Sequence, residues 1–248
     1  DGRRSNTTQI VAGYASTIIQ QYNDEVMADN AIKQQNTVLI TRNWFNPNLL
    51  YYWYNIPCLS GVLTMLVGLI VTGLSVAREK ELGTFDQLLV SPLSPTEIII
   101  GKTIPSVVIG MFEGSIIIFV GVMIFQVPFE GSLLMLYLSM FVFVSSIVGV
   151  GLFISSLAQT QQQAMLGSFI FMTPAVLMSG FATPIENMPS WLQPATYLIP
   201  LRYYLVNAKG IFLKDIPLST ILNNIWPMAI IACFTLSGAG WFFRRKLE

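Results

Sequence analysis

Few side chains in this sequence are equipped for chemistry, and where they sit decides what they can do. Glu113 is the one acidic residue well inside a long apolar stretch, within Gly110-Met111-Phe112-Glu113-Gly114. A charge near a bilayer centre costs about 2.5–3.5 kcal/mol on insertion scales, so it must face a partner, a cavity or its own neutral form. That makes Phe112 and Glu113 candidates for a translocation path, against the alternative of a helix-packing hydrogen bond at a G-x-x-x-G close approach. Gly101-Lys102-Thr103 resembles the end of a phosphate-binding loop, but the first glycine of G-x-x-x-x-G-K-[ST] falls on Thr96, so no nucleotide site is expected. Histidine is absent, which excludes imidazole acid–base chemistry and histidine metal sites. Cys58 and Cys233 each lie inside an apolar run and read as small core residues. No pair of carboxylates faces another across the apolar runs, so an intramembrane enzyme lacks its positioned acid and base.

The elements that must hold these residues are membrane spans. The chain is 53% hydrophobic and 10% charged, far from the charged fraction of about 25% in soluble domains. Its net charge of zero gives no reason to expect nucleic acid. Five apolar runs are each long enough to cross: Ile56–Ala77, Thr103–Phe125, Leu133–Leu157, Ala164–Ala182 and Ile221–Phe243. Residues 1–55 read as the C-terminal part of a water-exposed α/β domain, with a helix stepping through Ile10, Tyr14, Ile18 and Tyr22 and a strand at Thr37–Arg42. Aromatic residues Tyr51, Tyr52, Trp53 and Tyr54 precede the first span as an interfacial belt. Arg78, Lys80 and Lys102 mark their loop as cytoplasmic, as Arg244, Arg245 and Lys246 do the C-terminus. Residues 1–55 are then extracytoplasmic.

Val76–Lys102 is the segment that points to a transport role. It inserts Arg78, Glu79, Lys80, Glu81, Asp86 and Glu97 between two spans, with Leu82, Phe85, Leu88 and Leu89 at helical spacing. A short amphipathic helix at about residues 78–90, held between two spans, is a surface for another protein to push on. Ser94-Pro95-Thr96-Glu97 makes a capping box with proline at the first helical position, starting the helix of the second span. If ATP drives the protein, another chain must bind it. The alternative from the residues alone is an ion-coupled secondary transporter working through Glu113, although no internal repeat supports it.

Three segments carry a resemblance: Ala77–Lys102, Leu157–Ala164 (LAQTQQQA) and Met178–Leu201 (MSGFATPIENMPSWLQPATYLIPL). In this order they resemble the permease subunits of ABC-2-type exporters, in the drug-export-like branch with a large extracytoplasmic domain. The resemblance implies an all-α polytopic membrane protein of the bacterial cytoplasmic membrane, with six spans in the intact chain and 56–248 forming the transmembrane domain. It implies that the first segment contacts an ATP-binding ABC subunit through Glu79, Lys80, Glu81, Gly83, Thr84, Phe85 and Leu88. It makes Gln161, Gln162 and Gln163 a cytoplasmic turn. It makes residues 183–215, with Pro184, Glu186, Pro189, Trp191 and Pro200, a re-entrant extracytoplasmic segment. ATP and magnesium then reside on the partner subunit, and no cofactor is bound by this chain. A second permease copy and a periplasmic adaptor are the further partners it implies. Lipid or polysaccharide export by the same architecture is the alternative to export of drug-like amphiphiles. Lys209 stands where the family often has arginine, which keeps the charge but loses bidentate pairing.

Overall fold

A computed structural model describes residues 13–22, 24–25, 50–85, 87 and 94–245. Its long helices are α1 (Tyr51–Glu81), α2 (Pro95–Met123), α3 (Leu133–Leu157), α4 (Gln161–Met178), α5 (Pro200–Lys214) and α6 (Leu218–Arg245). Two 3-10 turns, Ile185–Asn187 and Gln193–Leu198, join α4 to α5. Residues 13–22 form a separate helical stretch whose Tyr14, Ile18 and Tyr22 are exposed. The described residues contain no strand, and the expected strand at Thr37–Arg42 lies outside them.

Among the described residues four helices, not five, are long and apolar enough to cross a membrane: α1, Thr96–Met123 of α2, α3, and Leu218–Trp241 of α6. The expected fourth span, Ala164–Ala182, is met by α4, which begins earlier and ends at Met178. Gln161, Gln162 and Gln163 occupy its first turn and dilute its apolar length, while Gly180 at φ 86° takes the chain out of helix soon after. α3 coincides with its expected run, Leu133–Leu157, whereas α1, α2 and α6 are longer than theirs. Tyr51–Tyr54 form the first turn of α1, and Arg78–Glu81 form its last. The range 78–90 is therefore not one helix. The Leu82 N–H donates to the Arg78 carbonyl, Gly83 takes φ 72°, and helix is seen again at Phe85 and Gln87. Asp86 and residues 88–93 lie outside the described residues.

Contacts between the helices sort their ends into two groups. The end of α1, the start of α2, the α3–α4 turn and the end of α6 lie at one end, here termed the charged end. The α2–α3 linker, the 3-10 turns and α5 lie at the other. α3 is the central helix, packed most extensively against α6 and α1. It buries Leu136, Met140, Phe143, Ile147 and Leu152. Small residues set the spacing, as expected where packing rather than water exclusion drives association. A Cβ on Gly110 would lie 2.9 Å from Val144 Cγ1, and one on Gly114 2.6 Å from Met140 Sδ. The G-x-x-x-G of α2 is thus the face that meets α3. Cys58 of α1 is buried, whereas Cys233 of α6 is exposed.

Candidate functional site

The densest polar junction sits at the charged end, where α1 finishes. A helix leaves its last carbonyls without partners, and they form the negative end of its dipole. At the end of α3 a lysine from α1 supplies what is missing. Lys80 Nζ donates to the carbonyls of Ser156 at 2.5 Å, Ala158 at 2.9 Å and Ser155 at 3.4 Å. One turn back, Ser155 Oγ donates to the Gly73 carbonyl at 2.5 Å and accepts from the backbone N–H groups of Val76 and Ala77 at 3.1 and 3.0 Å. On the neighbouring side Glu79 Oε1 pairs with Lys102 Nζ of α2 at 2.6 Å, with Lys102 mostly covered. Glu81 Oε2 accepts from the Gln161 N–H at 2.8 Å, a carboxylate at the positive end of α4. Three helices, α2, α3 and α4, thus converge on the last turn of α1.

The hairpin after Glu81 folds back on the same turn. Thr84 donates its N–H and its hydroxyl to the Glu79 carbonyl at 3.0 and 3.3 Å. Phe85 is buried, its ring centroid 5.8 Å from Lys80 Nζ. Gly83 faces open space, and Leu82 is exposed. Glu79, Lys80, Glu81 and Phe85 therefore turn toward the chain's own helices. Gly83 stays on the surface, Gln87 is exposed, and Leu88 lies outside the described residues. In the α3–α4 turn the Thr160 hydroxyl caps α4 by accepting from the Gln163 N–H, and Gln163 Oε1 accepts from the Gln159 N–H. Gln162 points to the surface.

Phe112 and Glu113 do not share an environment. Phe112 lies on the outer face of α2, while Glu113 is half-buried beside Thr64 of α1. Glu113 Oε2 and Thr64 Oγ1 are both buried without a hydrogen-bond partner among the described residues. At the far end α5 presses a broad face into the bundle, with Tyr204 stacked on Phe143 at a centroid distance of 4.5 Å. Tyr204 OH and Ser60 Oγ are 3.2 Å apart. Pro200 starts α5 and is buried, whereas Glu186, Pro189 and Trp191 are exposed and Pro184 precedes the first 3-10 turn. The linker before α3 finishes this end of the bundle. The Gly131 and Glu130 N–H groups donate to the carbonyls of Ile211 and Phe212 at 3.0 and 3.2 Å.

Residues 8–213 match the family model for the ABC-2 type transporter. The chain belongs to the ABC-2 type transporter family. It is 46% identical over 247 residues to the probable multidrug ABC transporter permease YbhR of Escherichia coli K12, covering 100% of this chain and 67% of that protein. It is 33% identical over 255 residues to the probable multidrug ABC transporter permease YbhS of the same organism, covering 100% of this chain and 66% of that protein. The inner membrane transport permease YhhJ of E. coli K12 is 26% identical over 232 residues, covering 93% of this chain and 59% of that protein. The chain thus spans about two thirds of the length of the relatives named first.

Membership in the ABC-2 family and four membrane-length helices make this a multi-pass membrane protein. Within it, two residues of the charged-end junction carried no expected role in the sequence: Ser155 and Ser156. Lys102 was read only as a basic mark of its loop and as the end of a likeness to a nucleotide loop, and its ammonium is engaged by Glu79. Ser155 and Ser156 interrupt an apolar run near its end. That pattern is a weak signal, since serine in a membrane helix can equally bond its own preceding turn.

Proposed function

We propose that this chain is the membrane-spanning half of an ATP-driven exporter of the bacterial inner membrane, moving amphiphilic, drug-like molecules out of the cytoplasm or the inner leaflet. The charged end is cytoplasmic and residues 1–55 are extracytoplasmic, in keeping with the basic residues at the charged end. Two permease copies pair, and each receives an ATP-binding subunit that holds ATP and magnesium. A periplasmic adaptor would extend the path. The observation that carries this reading is the junction at the end of α1. A chain segment exposed at Leu82, Gly83 and Gln87 is fastened through Glu79, Lys80 and Glu81 to α2, α3 and α4. Force applied to the exposed hairpin by a partner reaches four helices without passing through a flexible linker. The names of YbhR and YbhS support a multidrug permease role by similarity.

The work divides differently from the sequence expectation. Leu82, Gly83 and Gln87 would meet the partner, while Glu79, Lys80, Glu81, Thr84 and Phe85 pass its motion inward. The test is purification of the full-length protein from its own membrane in mild detergent, with an ATPase assay of whatever copurifies. An ATP-hydrolysing subunit that is present with the native chain and lost with Leu82→Asp/Gln87→Ala is the expected result. A protein that purifies alone and transports in vesicles without ATP overturns the proposal. It would favour ion coupling, which the unpartnered Glu113 carboxylate oxygen makes the second reading.

A further inference from the structure

Toward the charged end, α1 and α3 meet along a seam of small residues. On α3, Ile147, Gly151 and Ser155 step by four, and on α1 Gly68, Thr72 and Val76 do the same. A Cβ on Gly68 would lie 3.1 Å from Ile147 Cγ2, and one on Gly151 would run into Thr72 Oγ1. So close an approach lets a short side chain of one helix reach the backbone of the other. Ser155 does so. Other serines of α3 donate to their own preceding turn, Ser145 to the Phe141 carbonyl, Ser146 to Phe143 and Ser156 to Phe153. Ser155 Oγ instead donates to the Gly73 carbonyl at 2.5 Å and accepts from the N–H groups of Val76 and Ala77 at 3.1 and 3.0 Å. A hydroxyl has one proton and two lone pairs, so this one spends its full bonding capacity on the backbone of α1.

In an α-helix the Ala77 N–H donates to the Gly73 carbonyl and the Val76 N–H to the Thr72 carbonyl. Ser155 Oγ engages both ends of the first rung and the donor of the second. A side chain entering the ladder in this way is one of the few causes of a sharp bend. Gly73 adds backbone freedom at the same place, and a Cβ there would lie 2.9 Å from Ser168 Oγ of α4. One turn earlier, Thr72 Oγ1 donates to the Gly68 carbonyl at 2.6 Å, a bond that itself tends to bend helices. Just beyond, Glu79, Lys80 and Glu81 fasten the last turn to α2, α3 and α4. We infer that α1 is hinged at residues 73–77, with the Ser155 hydroxyl as the pin. The helix up to Thr72 is one arm. The last turn with its hairpin is the other, and it travels with the end of α3. A pull on the hairpin then bends α1 at one place instead of tilting its whole length. The use of the hinge in transport rests on the exporter reading, whereas the hinge itself does not.

The experiment is amide hydrogen exchange of the full-length protein in detergent, read residue by residue in the native chain and in Ser155→Ala. Alanine returns the Ala77 N–H and the Gly73 carbonyl to each other, so exchange at Val76 and Ala77 should slow about tenfold. A hydroxyl that only staples α1 to α3 gives the opposite sign, because its loss takes a partner from both amides. Faster or unchanged exchange in folded Ser155→Ala overturns the hinge. Gly73→Ala combined with Ser168→Ala stiffens α1 and leaves Ser155 in place. It should slow the same two amides, and it serves as the test should Ser155→Ala fail to fold. Exchange needs neither ATP nor a partner, so an exporter reading that fails leaves this result standing. Where the native chain does export with ATP, Ser155→Ala should lower export per ATP hydrolysed. Slower exchange with unchanged export per ATP overturns the hinge's part in transport.

Discussion

At the residue scale, Lys80 does what two separate features do in most helices: it ends α1 with a cation near the C-terminus and caps α3 from outside. Lys80→Met keeps much of the stem and removes the charge-assisted bonds, each worth about 1.5–3 kcal/mol in protein series. Under the exporter proposal, such a variant should keep its ATP-hydrolysing partner yet lose transport, read as dye export per ATP hydrolysed in inverted vesicles. If export per ATP is unchanged, the junction does not transmit motion. Glu113 is the opposite case, an ionisable group with no hydrogen-bond partner for one oxygen among the described residues. Interhelical polar contacts in membranes average below 1 kcal/mol, so Glu113→Gln should alter ATP-driven export by less than about tenfold. Complete loss of export, with ATP hydrolysis intact, would place the carboxyl on the path itself. Lys80's role was not legible in the sequence, because its partners are backbone carbonyls about 75 positions away and carbonyls leave no residue-type signature. Glu113 was legible as an exception, but its neighbour Thr64 was not.

At the element scale, local rules and the bounds of α3 were read well, and the lengths of the other spans were not. Ser94, Pro95 and Glu97 form the capping box that their spacing announces, since every partner lies within one turn. Apolar runs located α1, α2, α3 and α6, yet α1 runs on through Arg78–Glu81 because those charges find partners on other helices. The same runs overstated α4, where three glutamines and Gly180 shorten the span from both ends. α5 shows how closely one element can be fitted. A Cβ on Gly61 of α1 would lie 2.6 Å from the Tyr204 ring, which is itself stacked on Phe143. Neither the ring nor the stack has room to move aside. Gly61→Ala should therefore destabilise the folded protein by about 1–3 kcal/mol, seen as a lower melting temperature in detergent. An unchanged melt would mean that α5 shifts freely on the bundle.

At the scale of the whole molecule, most polar bonds between helices gather in two places, with long ones from Thr235 to the Ser146 carbonyl and from Ser168 to the Leu69 carbonyl, each at 3.5 Å, between them. One ties α1 to α2, α3 and α4 at the charged end, and the other holds α5 and the start of α6 to α3 through Asn207, Ser139 and Asn224. The middle of the bundle is joined mainly by apolar packing around small residues, which lets helices tilt while their ends stay tethered. Under the exporter proposal, tilting about tethered ends is the motion that alternating access would use, and it assigns different freedom to different helices. α6 is tethered at its start and packs along α3 more extensively than any other pair of helices, so the two should move as one body. Chance has left a reporter on α6. The chain has two thiols, and Cys58 is enclosed while Cys233 stands exposed on α6. A membrane-permeant maleimide should label Cys233 and spare Cys58 in the native protein and label both after unfolding, read by the masses of the two peptides. A spin label or fluorophore attached at Cys233 would time the motion of α6 without a cysteine being introduced there.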